Sequence, residues 1–161
     1  MKALHFPRSR ARRRDQRGVA TVELALVLMP LVLLLAATAD LGRAFYTYST
    51  LTSSTRNATR FLALSNPLDD TAKDRARNLV RYGNIHGTGT LLVSNLSADK
   101  IEICTRSTCG DHDAVATGSG TVNLVSVRIS GYVYTSLFSA VLPAQLAFST
   151  INMTMRSHPC C

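Results

Sequence analysis

From Val19 to Ala39 the chain reads VATVELALVLMPLVLLLAATA, an aliphatic run whose only charge is Glu23. As a helix rising about 1.5 Å per residue it reaches roughly 32 Å, close to the ~30 Å hydrocarbon core of a bilayer. Directly before it stand Lys2, Arg8, Arg10, Arg12, Arg13, Arg14 and Arg17, with Asp15 the only acid. Basic residues beside such a run are retained on the cytoplasmic side, which sends the following chain outward. Most of the +8 formal charge of the 161 residues sits in this leader. A body so near neutrality excludes a protein that is basic throughout. The leader also lacks the aromatic interleaving or folded basic face of a nucleic-acid binder. The expectation is a single-pass protein of the inner membrane, N-terminus cytoplasmic, with one periplasmic domain. There is no length for separate cofactor and substrate domains.

Two processing routes are open. Ala37-Thr38-Ala39 has the small-x-small form of a signal-peptidase site, which would release a secreted, disulfide-bonded binding protein beginning at Asp40. Glu23 argues for a different route. An acid inside an apolar segment costs a few kcal/mol unless it finds a partner, so it suggests a function; the plain alternative is that Glu23, only five residues after Gly18, sits at the headgroup level. Gly18 closes the basic cluster, Glu23 follows five residues later, and the aliphatic helix continues without a break.

The string RRRDQRG-VATVE-LALVLMPLVLLL resembles the N-terminal signal of type IV pilin-like proteins. The resemblance implies a cut between Gly18 and Val19 by a membrane aspartic peptidase, leaving Glu23 at the fifth mature position. Val19 stands where many pilins carry Phe. The cut exposes an α-amine at Val19, charged near neutral pH. Glu23 of one subunit could pair with that amine on a neighbour, offsetting the cost of burying either charge and setting axial register during assembly.

Nothing stops the helix at Ala39. Leu41, Ala44, Phe45, Tyr48, Leu51, Thr55, Ala58 and Leu62 recur at spacings of three and four, one helical stripe over 40–64. Val19 to Leu62 would then form a helix of about 66 Å, twice the bilayer core. Its outer half must pack on something else, most simply the exported domain. Pro30 removes one backbone hydrogen bond and should kink the membrane part.

The segment from Gly18 to Ala63, with its Gly-x-x-x-x-Glu start, internal proline and Asp40-Leu41-Gly42-Arg43-Ala44-Phe45-Tyr46, resembles the TadE-like family. These are minor pseudopilins of the tight-adherence (Flp) pilus system. Asn57-Ala58-Thr59-Arg60 and the phrase FSTINMTMR at Phe148–Arg156 are similar to that family too. The partners implied are the prepilin peptidase, the major Flp-type pilin, a sister minor pseudopilin and the inner-membrane assembly platform with its ATPase.

Residues 65–161 read as an α+β domain packed on the long helix, pilin-like in arrangement. Asn66-Pro67 breaks the helix. Asp69 or Asp70 can cap a short second one through Tyr82, with Gly83 ending it. Strands are expected at Leu91–Leu96, Lys100–Cys104, Val122–Tyr134 and Leu146–Arg156. The third alternates, with Val125, Val127, Ile129 and Val133 on one face and Ser126, Arg128, Ser130, Tyr132 and Tyr134 on the other. A small antiparallel sheet follows.

Outside the membrane, cysteines favour disulfides. Cys104 and Cys109 bracket four residues and could pin a hairpin. Cys160 and Cys161 are adjacent and bond each other only with strain, so they pair with the first two or with another chain. Zinc is the alternative, held by Cys104, Cys109 and His112 with a fourth ligand from His86, His158 or Cys160, although the spacing matches no standard site. The GxG at Gly87–Gly89 and at Gly118–Gly120 lacks the strand-turn-helix setting of a phosphate cradle. Asp111-His112-Asp113 reads as turn chemistry on a glycine-flanked loop, and neither HExxH nor Gly-x-Ser-x-Gly occurs. No cofactor and no enzymatic activity are expected.

Overall fold

The computed structural model describes residues 17–139 and 143–158. The basic leader up to residue 16, and Cys160 and Cys161, lie outside the described residues. The chain divides after Ala36 into two compact units. The first is the start of α1, the helix Arg17–Leu64. Every residue from Gly18 to Leu35 is exposed, on all sides of the helix. An aliphatic surface exposed all round a helix is what a bilayer covers, and α1 is long and apolar enough to cross one. The helical assignment runs through Pro30, whose missing N–H leaves the Leu26 carbonyl without its usual donor.

The second unit, from Ala37 onward, is the α+β domain. The rest of α1 forms one wall of its core. Leu51, Thr55, Ala58, Thr59 and Leu62 are fully buried. The run of serines and threonines here is poor helix material because hydroxyls compete for backbone groups. They are accommodated by bonding back within the helix, as Thr55 does to the Leu51 carbonyl at 2.7 Å and Thr59 to that of Thr55 at 2.8 Å. The expected stripe is seated at Ala44, Leu51, Thr55, Ala58 and Leu62, whereas Leu41, Phe45 and Tyr48 remain exposed.

The second helix, α2 (Asp70–Tyr82), has the anticipated ends. The Asp69 carboxylate accepts from the Thr71 N–H, and Gly83 closes the helix at φ 74°, a conformation glycine adopts without a Cβ penalty. Ala72, Ala76 and Val80 are its buried stripe.

Among the described residues the main sheet has three strands, β1 (Ile101–Cys104), β4 (Leu124–Ile129) and β7 (Ile151–Arg156), antiparallel with β4 central. Its register aligns apolar rows across the strands: Ile101, Ile129 and Ile151, then Ile103, Val127 and Met153. Ile101, Ile103, Val127, Ile129 and Ile151 of these rows form the core with Leu51, Leu62 and Val80, and Met155 packs against it. On the other face Glu102 lies opposite Arg128, at 3.7 Å. Two hairpins flank the sheet, β2 (Val115–Thr117) with β3 (Gly120–Val122) and β5 (Val133–Thr135) with β6 (Gln145–Ala147). The GxG at Gly118–Gly120 is the turn of the first.

Three strand expectations need correction. Leu91–Leu96 is irregular, although Val93 and Leu96 are buried. Leu92 N–H donates to the Arg81 carbonyl at the end of α2, and Asn95 has φ 63°, which breaks an extended run. Val122–Tyr134 is interrupted at Gly131, φ 65°, where the chain leaves the main sheet for β5. That break shifts the alternation, so Tyr132 and Tyr134 are buried in place of Val133. Leu146–Arg156 is likewise divided into β6 and β7, with Phe148 between them. Phe148 lies parallel to Tyr134 at 6.2 Å and edge-on to Tyr48 at 5.6 Å.

Candidate functional site

Gly18 and Val19 stand in the first turn of α1. Nothing lies within 4 Å of where a Cβ on Gly18 would be, and Val19 is 67% exposed. Thr21 Oγ1 donates to the Gly18 carbonyl at 3.1 Å. Glu23 is exposed, one turn further on, and no ion pair among the described residues includes it. The three residues singled out here are thus accessible on one short stretch of helix.

A second constellation lies just past the apolar run, and it was read from sequence only as a boundary. Asp40 is 1% exposed. Its carboxylate accepts hydrogen bonds from Tyr134 Oη at 2.7 Å and from Ser136 Oγ, and Leu137 N–H approaches at 3.5 Å. Arg43 is 3.9 Å away. The hydroxyl bonds from Ser136 and then Tyr134 hold the carboxyl below its ordinary value. Burial, with the Asp40 carboxylate beside it, pushes the Tyr134 phenol up. The phenol therefore stays the donor and the carboxylate the acceptor. A signal was present: Asp40 occupies the stripe of Ala44, Leu51, Thr55, Ala58 and Leu62, where an acid needs a buried partner. The partners come from a distant hairpin, which local spacing does not reveal.

A folded pKa depressed below the unfolded value gives stability that is present above the unfolded pKa. It is lost as pH falls through the folded one. Wild-type chain should therefore lose stability as pH drops from about 4. Asp69 and Asp99 are lowered as well, so Asp40→Asn should flatten that loss without abolishing it. Denaturant midpoints at pH 7 and below pH 4 check this.

Cys104 and Cys109 form a disulfide, with Cα atoms 5.4 Å apart. It closes the loop after β1, where the Thr105 carbonyl also accepts from the N–H groups of Thr108 and Cys109. Joined to each other, these sulfurs are not available as zinc ligands. Among the described residues no group of three or more His, Cys, Asp or Glu could hold a metal ion. His112 turns inward, Nε2 to Ser126 Oγ at 2.8 Å, and so serves the outer face of β4 instead of pairing with Asp111 or Asp113. For so short a loop, loss of the cross-link costs about 2 kcal/mol by chain entropy. Cys104→Ser with Cys109→Ser should lower the unfolding midpoint correspondingly and leave the sheet topology unchanged, as read by circular dichroism in urea.

One apolar helix that could span a membrane by length and composition, together with a small α+β domain, is consistent with a membrane-anchored class of protein. The family model described as TadE-like protein matches residues 18–60, beginning at Gly18 and covering most of α1. This is the family that the sequence resembles. The phrase Phe148–Arg156 lies beyond the matched residues. No curated protein and no solved structure matches the chain.

Proposed function

We propose that the chain is a minor pseudopilin taking part in assembly of a Tad/Flp-type adhesive pilus. The apolar segment crosses the inner membrane once, with the leader cytoplasmic and the α+β domain periplasmic. A prepilin peptidase cuts after Gly18, and Glu23 then pairs with the new amine of a neighbouring subunit. The major Flp-type pilin, a sister pseudopilin and the inner-membrane assembly platform are its partners. The role is structural and not catalytic.

The observation that carries this reading is the family match, which opens on the glycine of the expected cut and contains Glu23. The accessible Gly18–Val19 bond, and a Glu23 that has no ion pair among the described residues, support it. A cut after Ala39 would instead sever a continuous helix directly before the anchored Asp40. The test is the mature N-terminus, by intact mass and terminal sequencing with and without the peptidase. A peptidase-dependent start at Val19, in the membrane or filament fraction, is expected. A soluble product beginning at Asp40 would establish the secreted binding protein instead. An uncut Met1 would leave a plain membrane anchor.

A further inference from the structure

We infer that the domain end around Asp40 is seated in the headgroup layer of the bilayer, with Leu137 and Phe138 of the β5–β6 connection dipping into it as a second membrane contact. The inference rests on the reading that the segment 19–39 crosses the membrane.

Four observations carry it. Asp40 is the first residue past the apolar run, so a crossing helix places it at the membrane surface. The approach of Leu137 N–H to the Asp40 carboxylate, and the Ser136 hydroxyl bond, tie the hairpin connection to that level. Leu137 is 65% and Phe138 43% exposed there, two adjacent large apolar side chains open to the surroundings. From Ile129 to Met155 the chain carries no Asp, Glu, Lys, Arg or His. An edge whose apolar side chains reach below the headgroups gains from carrying no charge that would need desolvation there.

The geometry also distinguishes a membrane plane from a protein partner. Successive helical residues point about 100° apart. Phe45 and Tyr46, 66% and 74% exposed, therefore splay to either side of the helix face opposite Asp40. Leu137 and Phe138 lie on the domain side. The apolar groups thus ring the helix, where a docked protein would need them on one side. Phe45 and Tyr46 stand about 8–9 Å beyond Asp40 along the axis, comparable with the ~5–8 Å interfacial layer on each side of a bilayer. Aromatic rings favour that layer, and Arg43 can extend its half-exposed guanidinium to lipid phosphates.

The chain has no tryptophan, so an introduced indole is its only one. Phe138→Trp, Met29→Trp in the middle of the apolar run and Leu64→Trp at the far end of α1 would each be placed in the full chain. The variants are reconstituted in phosphatidylcholine vesicles containing lipids brominated at defined depths. The expected result is blue-shifted F138W emission, quenched most by lipids brominated near the glycerol end. M29W is quenched by bromines near the chain ends, and L64W by neither. If M29W is quenched while F138W is as unquenched and red-shifted as L64W, the seating is wrong and the crossing stands. An unquenched M29W overturns both. Blue-shifted F138W without bromolipid quenching means that protein covers the site, which also overturns the inference. Leu137→Trp repeats the measurement, so a misfolded F138W does not decide it.

Discussion

Chain carrying Glu23→Ala should be cut after Gly18 like the wild type and yet fail to join other pilin subunits. The cut depends on the accessible Gly18–Val19 bond, which Glu23 does not touch. Under the proposed function, assembly then requires the carboxylate to meet the new amine of a neighbour. Removing one member of an ion pair buried in lipid or between helices strands the other, at a cost of about 3–5 kcal/mol. At 1.4 kcal/mol per tenfold that is a loss of more than two orders of magnitude in association, enough to empty the filament or complex. Glu23→Gln keeps the size and a hydrogen bond but not the charge, so its defect should be smaller in degree and of the same kind. Terminal sequencing reads the first half of the expectation, and cross-linking to the major pilin the second. Normal cross-linking of the alanine variant would remove Glu23 from any role in register.

The second large effect is in the domain core. Leu62 is fully buried in α1, where the helix packs on β4, β7 and α2. Leu62→Ala should cost about 2–5 kcal/mol, through the lost transfer energy and the cavity left behind. A domain of ordinary stability has only about 5–15 kcal/mol in total, so the variant sits near the margin of folding. Its urea midpoint, followed by tyrosine fluorescence or circular dichroism, should fall sharply. Processing at Gly18 should continue, because that bond lies in the other unit. Glu23→Ala and Leu62→Ala thus separate an assembly defect in a folded chain from a folding defect in a correctly cut one.

Features set by neighbours in sequence were readable before the structure. The Asp69 cap and Gly83 stop need only the residues of one helix and its ends. The alternation of Val125, Val127 and Ile129 needs only one strand. Features set by distant partners were not. A glycine between two β-rich runs does not announce that the strand leaves its sheet, and so the inward turn of Tyr132 and Tyr134 was missed. Leu91–Leu96 has strand composition, but its backbone goes to the end of α2. Leu41, Phe45 and Tyr48 follow the helical period of the buried residues, yet on these turns the domain covers only the narrower face of Asp40 and Ala44. For the candidate site, Gly18 and Glu23 were legible as a spacing, whereas the clamp on Asp40 required knowing where β5 goes.

That clamp has a counterpart at the other end of the packed part of the helix, the part from Asp40 to Leu64. Asp40 is held by Tyr134 and Ser136, and the Ala63 carbonyl accepts from His158 N–H just beyond β7, at 2.9 Å. Between them Thr59 Oγ1 reaches the Met153 carbonyl at 3.4 Å. A rod riveted at both ends responds to tension differently from one glued at a single end. A pull along α1 cannot peel it from the sheet one contact at a time. It must shear the attachments and the packed interface together, and a subunit drawn out of a membrane by its stem would carry its domain along intact.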